Sequence, residues 1–160
     1  MTDIVVVLEE IDASLIEKDK LIDILYESLA KQLVLLKSED TEVNKLESIF
    51  KEKDRLYMKL DKTDNKINQL LGSISAETQL AKRFPKISVR VEEHMLAIQE
   101  KGKVIEALET ESKAYINNVL AGHKESVKNF RDTKGVLKQY NRNRGYQHKS
   151  ETSYFMDKKK

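Results

Sequence analysis

Residues 43–72 read VNKLESIFKEKDRLYMKLDKTDNKINQLLG, and the spacing of apolar residues in this stretch decides the fold. Val43, Leu46, Phe50, Lys53, Tyr57, Leu60, Asp64, Ile67 and Leu71 recur in steps of three and four. That is the heptad spacing of a helix laid along another helix. Ile49, Leu56 and Leu70 broaden the face. Two positions on this seam are charged, Lys53 and Asp64. A charge there either meets a polar partner and fixes the register of the pair, or lies at the stripe's edge with its head in water. The second situation is the commoner one. Gly72 is the expected left-handed cap, and Ser73 and Ser75 begin a turn.

Upstream, Ile4, Leu8, Ile11, Leu15, Ile22, Leu25, Leu29, Leu33 and Leu36 keep the same steps, with one skip at Lys18. This predicts a first helix running to about Lys37. Ile16, Leu21, Tyr26 and Leu35 widen its stripe, which predicts contact with more than one neighbour. Ser38-Glu39-Asp40-Thr41 offers Asp40 or Thr41 as cap for the next helix, and so short a connection favours an antiparallel return.

Downstream, a short helical piece is expected between Ala76 and Arg83, and Pro85 either ends it or opens the next helix as its first residue. From Ser88, a candidate cap with Glu92 and Glu93 in the first turn, the stripe runs through Val91, Met95, Ile98, Ile105, Leu108, and Tyr115 or Ile116. It continues through Val119, Val127, Phe130, Leu137 and Tyr140. Some fifty helical residues span about 75–80 Å, against about 45–50 Å for each earlier helix, so this helix should overhang its partners. Gly102, Gly122 and Gly135 weaken it, each mid-helix glycine costing roughly 1 kcal/mol relative to alanine. The expected fold is all-α: an antiparallel long helical hairpin plus a third long C-terminal helix, a coiled-coil-like three-helix bundle. The expected division is a single helical domain over residues 1–140 and a flexible basic tail over 141–160.

Composition agrees with long helices. Of 160 residues 35% are charged, with one proline and five glycines, and few Gly and Pro leave helices uninterrupted. The net charge of +2 is uneven: from His123 to Lys160 eleven Lys or Arg stand against four Asp or Glu, leaving +7 there and −5 on the rest. Without cysteine there is neither a disulfide framework nor a thiolate metal site. The opening run Ile4 to Leu8 is too short and too acidic in its flank for a signal peptide, and nothing approaches a membrane span, so a cytoplasmic protein is expected.

Catalytic signals are few. His94, His123 and His148 lack the i, i+4 spacing of a zinc helix, and His94 beside Glu92 and Glu93 is more simply a packed or solvated residue. There is no Gly-x-Ser-x-Gly elbow and no phosphate-binding glycine loop. Glu9-Glu10 and Glu92-Glu93 point about 100° apart on a helix and share no site. No enzyme activity, cofactor or metal is expected. Lys138, Arg142, Arg144 and Lys149 mingle with tyrosines, but no nucleic-acid motif accompanies them, and nucleic-acid binding is not expected. Three terminal lysines alone bind a membrane surface weakly. What remains is protein binding. Val119, Val127, Phe130, Leu137 and Tyr140 form an apolar line past the expected reach of the shorter helices. A client's helix or a second copy of this chain, as a homodimer, satisfies it equally well.

Three features together resemble bacterial flagellar export chaperones of the FlgN type, or the similar FliT type. Glu52-Lys53-Asp54-Arg55-Leu56 looks like the Glu-Lys-Asp/Gly-x-Leu element in helix two of such proteins. The long last helix runs into Tyr140-Asn141-Arg142-Asn143-x-Gly145-Tyr146. The closing Phe155-Met156-Asp157-Lys158-Lys159-Lys160 looks like the Phe-Met-Asp-Lys/Arg-Lys ending of members from Gram-positive flagellates. The resemblance implies a small cytoplasmic chaperone that keeps a hook-associated or filament-cap protein unassembled and delivers it to the type III export gate. In the family the C-terminal helix engages the substrate's C-terminal helical region, which implies a substrate line of Tyr115, Val119, Val127, Phe130 and Leu137. An aromatic near that end takes part in gate docking, which implies Tyr140 and Tyr146. Gly122 and Gly135 depart from an uninterrupted helix.

Overall fold

A computed structural model of the chain describes residues 3–38 and 42–122. They fold into four helices and no strand: α1 (Ile4–Lys37), α2 (Val43–Ser73), α3 (Leu80–Arg83) and α4 (Pro85–Gly122). The described residues are therefore all-α. The helix starts follow from local hydrogen bonding. At α1, Asp3 Oδ1 accepts from Val5 N at 3.1 Å and Val6 N at 3.4 Å, giving two of the first-turn amides a partner. At α2, the Glu42 carbonyl accepts from Lys45 N and Leu46 N. Asp40 and Thr41, the expected caps, lie outside the described residues.

Two expected helix boundaries are corrected. Gly72 is not a left-handed cap: it is helical, and no glycine among the described residues has positive φ. The serines explain this, because Ser73 Oγ donates to Leu70 O at 2.6 Å and Ser75 Oγ to Gly72 O at 2.9 Å. Carbonyls satisfied by hydroxyls need no left-handed turn. The left-handed residue is Gln79 (φ 58), which opens α3. Nor does Ser88 cap α4. Pro85 already occupies the first helical position, where its missing N–H costs nothing. Ser88 is thereby carried inside the helix, where it is buried and its Oγ donates to Leu80 O at 3.1 Å. The short piece before Pro85 is narrower than expected, Leu80–Arg83, with Ala76 in the preceding turn.

Helices α1, α2 and α4 each contribute to two packing units. The first comprises residues 3–22 and 59–102. Its buried side chains are mostly apolar: Leu8, Ile11, Leu15 and Ile22 of α1, Leu60, Ile67 and Leu71 of α2, and Val91, Met95 and Ile98 of α4. Each such side chain fully withdrawn from water contributes about 1.5–3 kcal/mol. Here α1 and α4 run parallel, Asp12 lying against Arg90 (3.8 Å) and His94 (3.4 Å), and Asp19 against Lys101 (2.8 Å).

The second unit comprises residues 23–38, 42–58 and 103–122. Leu36, Leu46, Phe50 and Ile116 form one cluster, with Leu35 and Tyr115 packed at its margin. Deeper in, Gln32 of α1 meets Lys53 of α2, so contacts on α2 advance as those on α1 recede. The hairpin is antiparallel here, as the short connection predicts.

Candidate functional site

Halfway along the second unit the heptad seam turns polar. Lys53 is fully buried, and its ammonium donates to Glu109 Oε1 at 2.8 Å and Gln32 Oε1 at 3.1 Å. Tyr57 OH donates to the same Glu109 oxygen at 3.1 Å. Burial pushes the Lys53 pKa down, and the Glu109 charge and hydrogen bond oppose that shift. Gln32 Nε2 and Ser112 Oγ, also buried, have no hydrogen-bond partner among the described residues. In the first unit, Lys18 is fully buried and binds Asp64 at 2.6 Å.

These contacts settle the two readings of the charged seam. Lys53 and Asp64 do not hold their heads in water at the stripe's edge; each meets a polar partner on another helix. Lys18, the apparent skip in the first stripe, is the buried partner that explains Asp64. A one-step slip of α2 would leave both lysines buried and unpaired, at several kcal/mol each. The layers therefore fix register. A lysine sealed between helices gives a substrate no approach.

Of the expected substrate line, Tyr115 is half-buried beside the Leu36–Phe50 cluster. The Lys37 ammonium lies 5.7 Å from its ring centroid and binds Glu111 at 3.0 Å, which raises the Lys37 pKa. Val119 lies within helix α4, and its side chain is outside the described residues. Val127, Phe130, Leu137, Tyr140 and Tyr146 also fall outside them. The contacts near the described ends of α1 and α2 are nonetheless clear. Lys37, the last residue of α1, is level with Glu111, and Leu46, in the first turn of α2, packs with Ile116. Helix α4 continues to Gly122, about 9 Å past Ile116 at ~1.5 Å per residue.

A second feature escaped the sequence reading. Ala30, Lys31, Val34 and Leu35 of α1 and Asn44, Lys45, Ser48 and Ile49 of α2 line an open groove of about 760 Å³. Among the described residues, none of α4 lines it. Val34 stands 71% exposed, the most of any large apolar side chain among the described residues. The signal was present in Leu33-Val34-Leu35-Leu36, because four consecutive apolar residues on a helix cannot all face one partner. Tyr26 and Ile16, expected against a further neighbour, are exposed instead. Among the described residues no cluster of His, Asp and Glu could hold a metal ion, and no helix is long and apolar enough to cross a membrane. No protein-family model, no curated protein and no solved structure matches the chain.

Proposed function

We propose that the chain is a non-catalytic flagellar export chaperone. It binds the helical C-terminal region of a hook-associated or filament-cap protein in the cytoplasm and keeps it unassembled until the type III gate receives it. One observation carries the reading: α4 runs on to Gly122, about 9 Å past Ile116, where it packs on the hairpin. Most apolar seam residues of α1 and α2 are buried, and the sequence after Gly122 carries Val127, Phe130 and Leu137 at helical spacing. The likeness of the Glu52–Leu56 element and the Phe155–Lys160 ending to the flagellar chaperones supplies the client class. The proposal includes the finer architecture expected from sequence, a hairpin carrying a third long helix in a coiled-coil-like bundle. The client line is Tyr115, Val119, Val127, Phe130 and Leu137, and Tyr140 and Tyr146 contact the gate.

Isothermal titration of the full chain with C-terminal peptides of hook-associated and cap proteins tests this. The expected result is saturable binding to one of them that Phe130→Ala and Leu137→Ala weaken while leaving thermal stability unchanged. If either substitution instead lowers stability by the ~2–5 kcal/mol of a buried large-to-alanine change, that position belongs to the core. A tight dimer by light scattering that ignores every client peptide makes the chain a self-associating coiled-coil adaptor instead.

A further inference from the structure

The hairpin in the second unit already accepts one helix, and the manner in which it does so can be read directly. Helix α4 lies against α1 and α2 with its apolar residue Ile116 on the Leu36–Phe50 cluster. It offers carboxylates to two lysines of the hairpin: Glu109 to Lys53 at 2.8 Å and Glu111 to Lys37 at 3.0 Å. The groove between the same two helices, lined by no described residue of α4, repeats this chemistry. Val34, Leu35 and Ile49 give it an apolar lining, and the charged residues among its described lining are Lys31 and Lys45, one on each helix.

We propose that this groove docks an amphipathic helix from another protein, one carrying an apolar stripe flanked by Asp or Glu. A third helix seats naturally between two packed ones, its ridge of side chains entering their groove. The volume of about 760 Å³ is that of an ordinary binding cleft and accommodates several large apolar side chains. Val34, exposed in the free chain, becomes the central contact. Acidic flanks are selected because both walls are cationic. Lys45 pairs with Glu42, the residue just before α2, at 3.2 Å with both side chains largely in water, a weak pair that an incoming carboxylate exchanges easily. The groove is lined by residues of α1 and α2 and shares none with the client line proposed above, so either proposal can fail without the other.

Amide chemical shifts of the ¹⁵N-labelled full chain provide the test. The probe is a capped peptide of about 18 residues, long enough to be helical, with leucines at helical spacing and glutamate flanks. Its control has the same leucines with lysine flanks. The expected result is saturable movement of amides around 30–35 and 44–49, with the glutamate peptide about five- to tenfold tighter. Val34→Asp weakens binding by about tenfold or more without altering the melting temperature, since the residue is exposed. Lys31→Glu with Lys45→Glu reverses the preference between peptides. Equal affinity for both peptides, movement of other amides, or no movement at all overturns the proposal. So do two further results. Shifts of the same amides with protein concentration alone put a second copy in the groove. Bleaching of those amides by a nitroxide on Ser153→Cys, a unique site in a chain without cysteine, puts the chain's own C-terminal segment there.

Discussion

Glu109→Gln tests how dry the Lys53 layer is. Glu109 is 4% exposed and accepts from Lys53 at 2.8 Å and Tyr57 at 3.1 Å. Glutamine keeps the shape and one acceptor oxygen but removes the charge opposing the ammonium, which is then left with neutral oxygens such as Gln32 Oε1 at 3.1 Å. Breaking a buried pair from one side costs about 3–5 kcal/mol. The amide keeps a hydrogen bond contributing about 1 kcal/mol, so the expected loss is about 2–4 kcal/mol. Lys53 itself sets a ceiling. Giving up its proton at pH 7 from an ordinary value of 10.5 costs about 5 kcal/mol at ~1.4 kcal/mol per pH unit, beyond which the lysine turns neutral. On a Gln32→Leu, Tyr57→Phe background, which removes the two groups that would lose their partners, Lys53→Met with Glu109→Leu removes both charges and keeps the volume. That double variant should match its background or exceed it by up to about 4 kcal/mol, although Glu109→Gln alone is costly. Urea unfolding at pH 7 followed by far-ultraviolet circular dichroism measures both. A Glu109→Gln loss below about 0.5 kcal/mol, with the double variant no better, means that water reaches the pair and the layer does not fix register.

Three further outcomes follow from the same structure. Because burial lowers the Lys53 pKa, the unfolded chain binds more protons between that lowered value and 10.5, and this group makes stability rise with pH across that window. Urea midpoints measured over it should rise less steeply in Lys53→Met; parallel curves refute the lowered pKa. Lys18→Met should cost about 1–3 kcal/mol, less than Glu109→Gln, because Asp64 keeps 15% of its side chain in water and the methionine fills the stem's place; calorimetry showing a larger loss places Asp64 in a drier site. Gly72→Ala should stabilise by up to about 1 kcal/mol, since the glycine is helical with no atom within 4 Å of an added Cβ, and destabilisation in a urea melt contradicts that backbone geometry.

The legible part of the fold was periodicity. The steps of three and four placed α1 and α2 and their buried leucines and isoleucines, because a seam facing one neighbour needs no knowledge of which neighbour. The partners of the polar seam residues were not legible. Lys53 meets Gln32, 21 positions away, and Tyr57 meets Glu109, 52 positions away, and only the alignment of three helices brings them together. Local chemistry misled at Gly72 and Ser88, where serine hydroxyls and Pro85 offered alternatives to the commonest caps. The groove was hidden for a different reason: Val34 reads as one more core residue until α4 is known to lie along another side of the hairpin. Of the client line, the sequence located an apolar stripe, and Tyr115 shows that a stripe residue can also serve the fold.

The proposed function requires that residues 119–140 hold a client while α1 and α2 stay as they are. Hydrogen exchange of the full chain, alone and with the C-terminal helical region of a hook-associated or cap protein, addresses it most directly. Exchange should slow across residues 119–140 on binding, with amides of residues 4–37 and 43–73 unchanged. Protection confined to the hairpin, or none anywhere at saturating client, contradicts it.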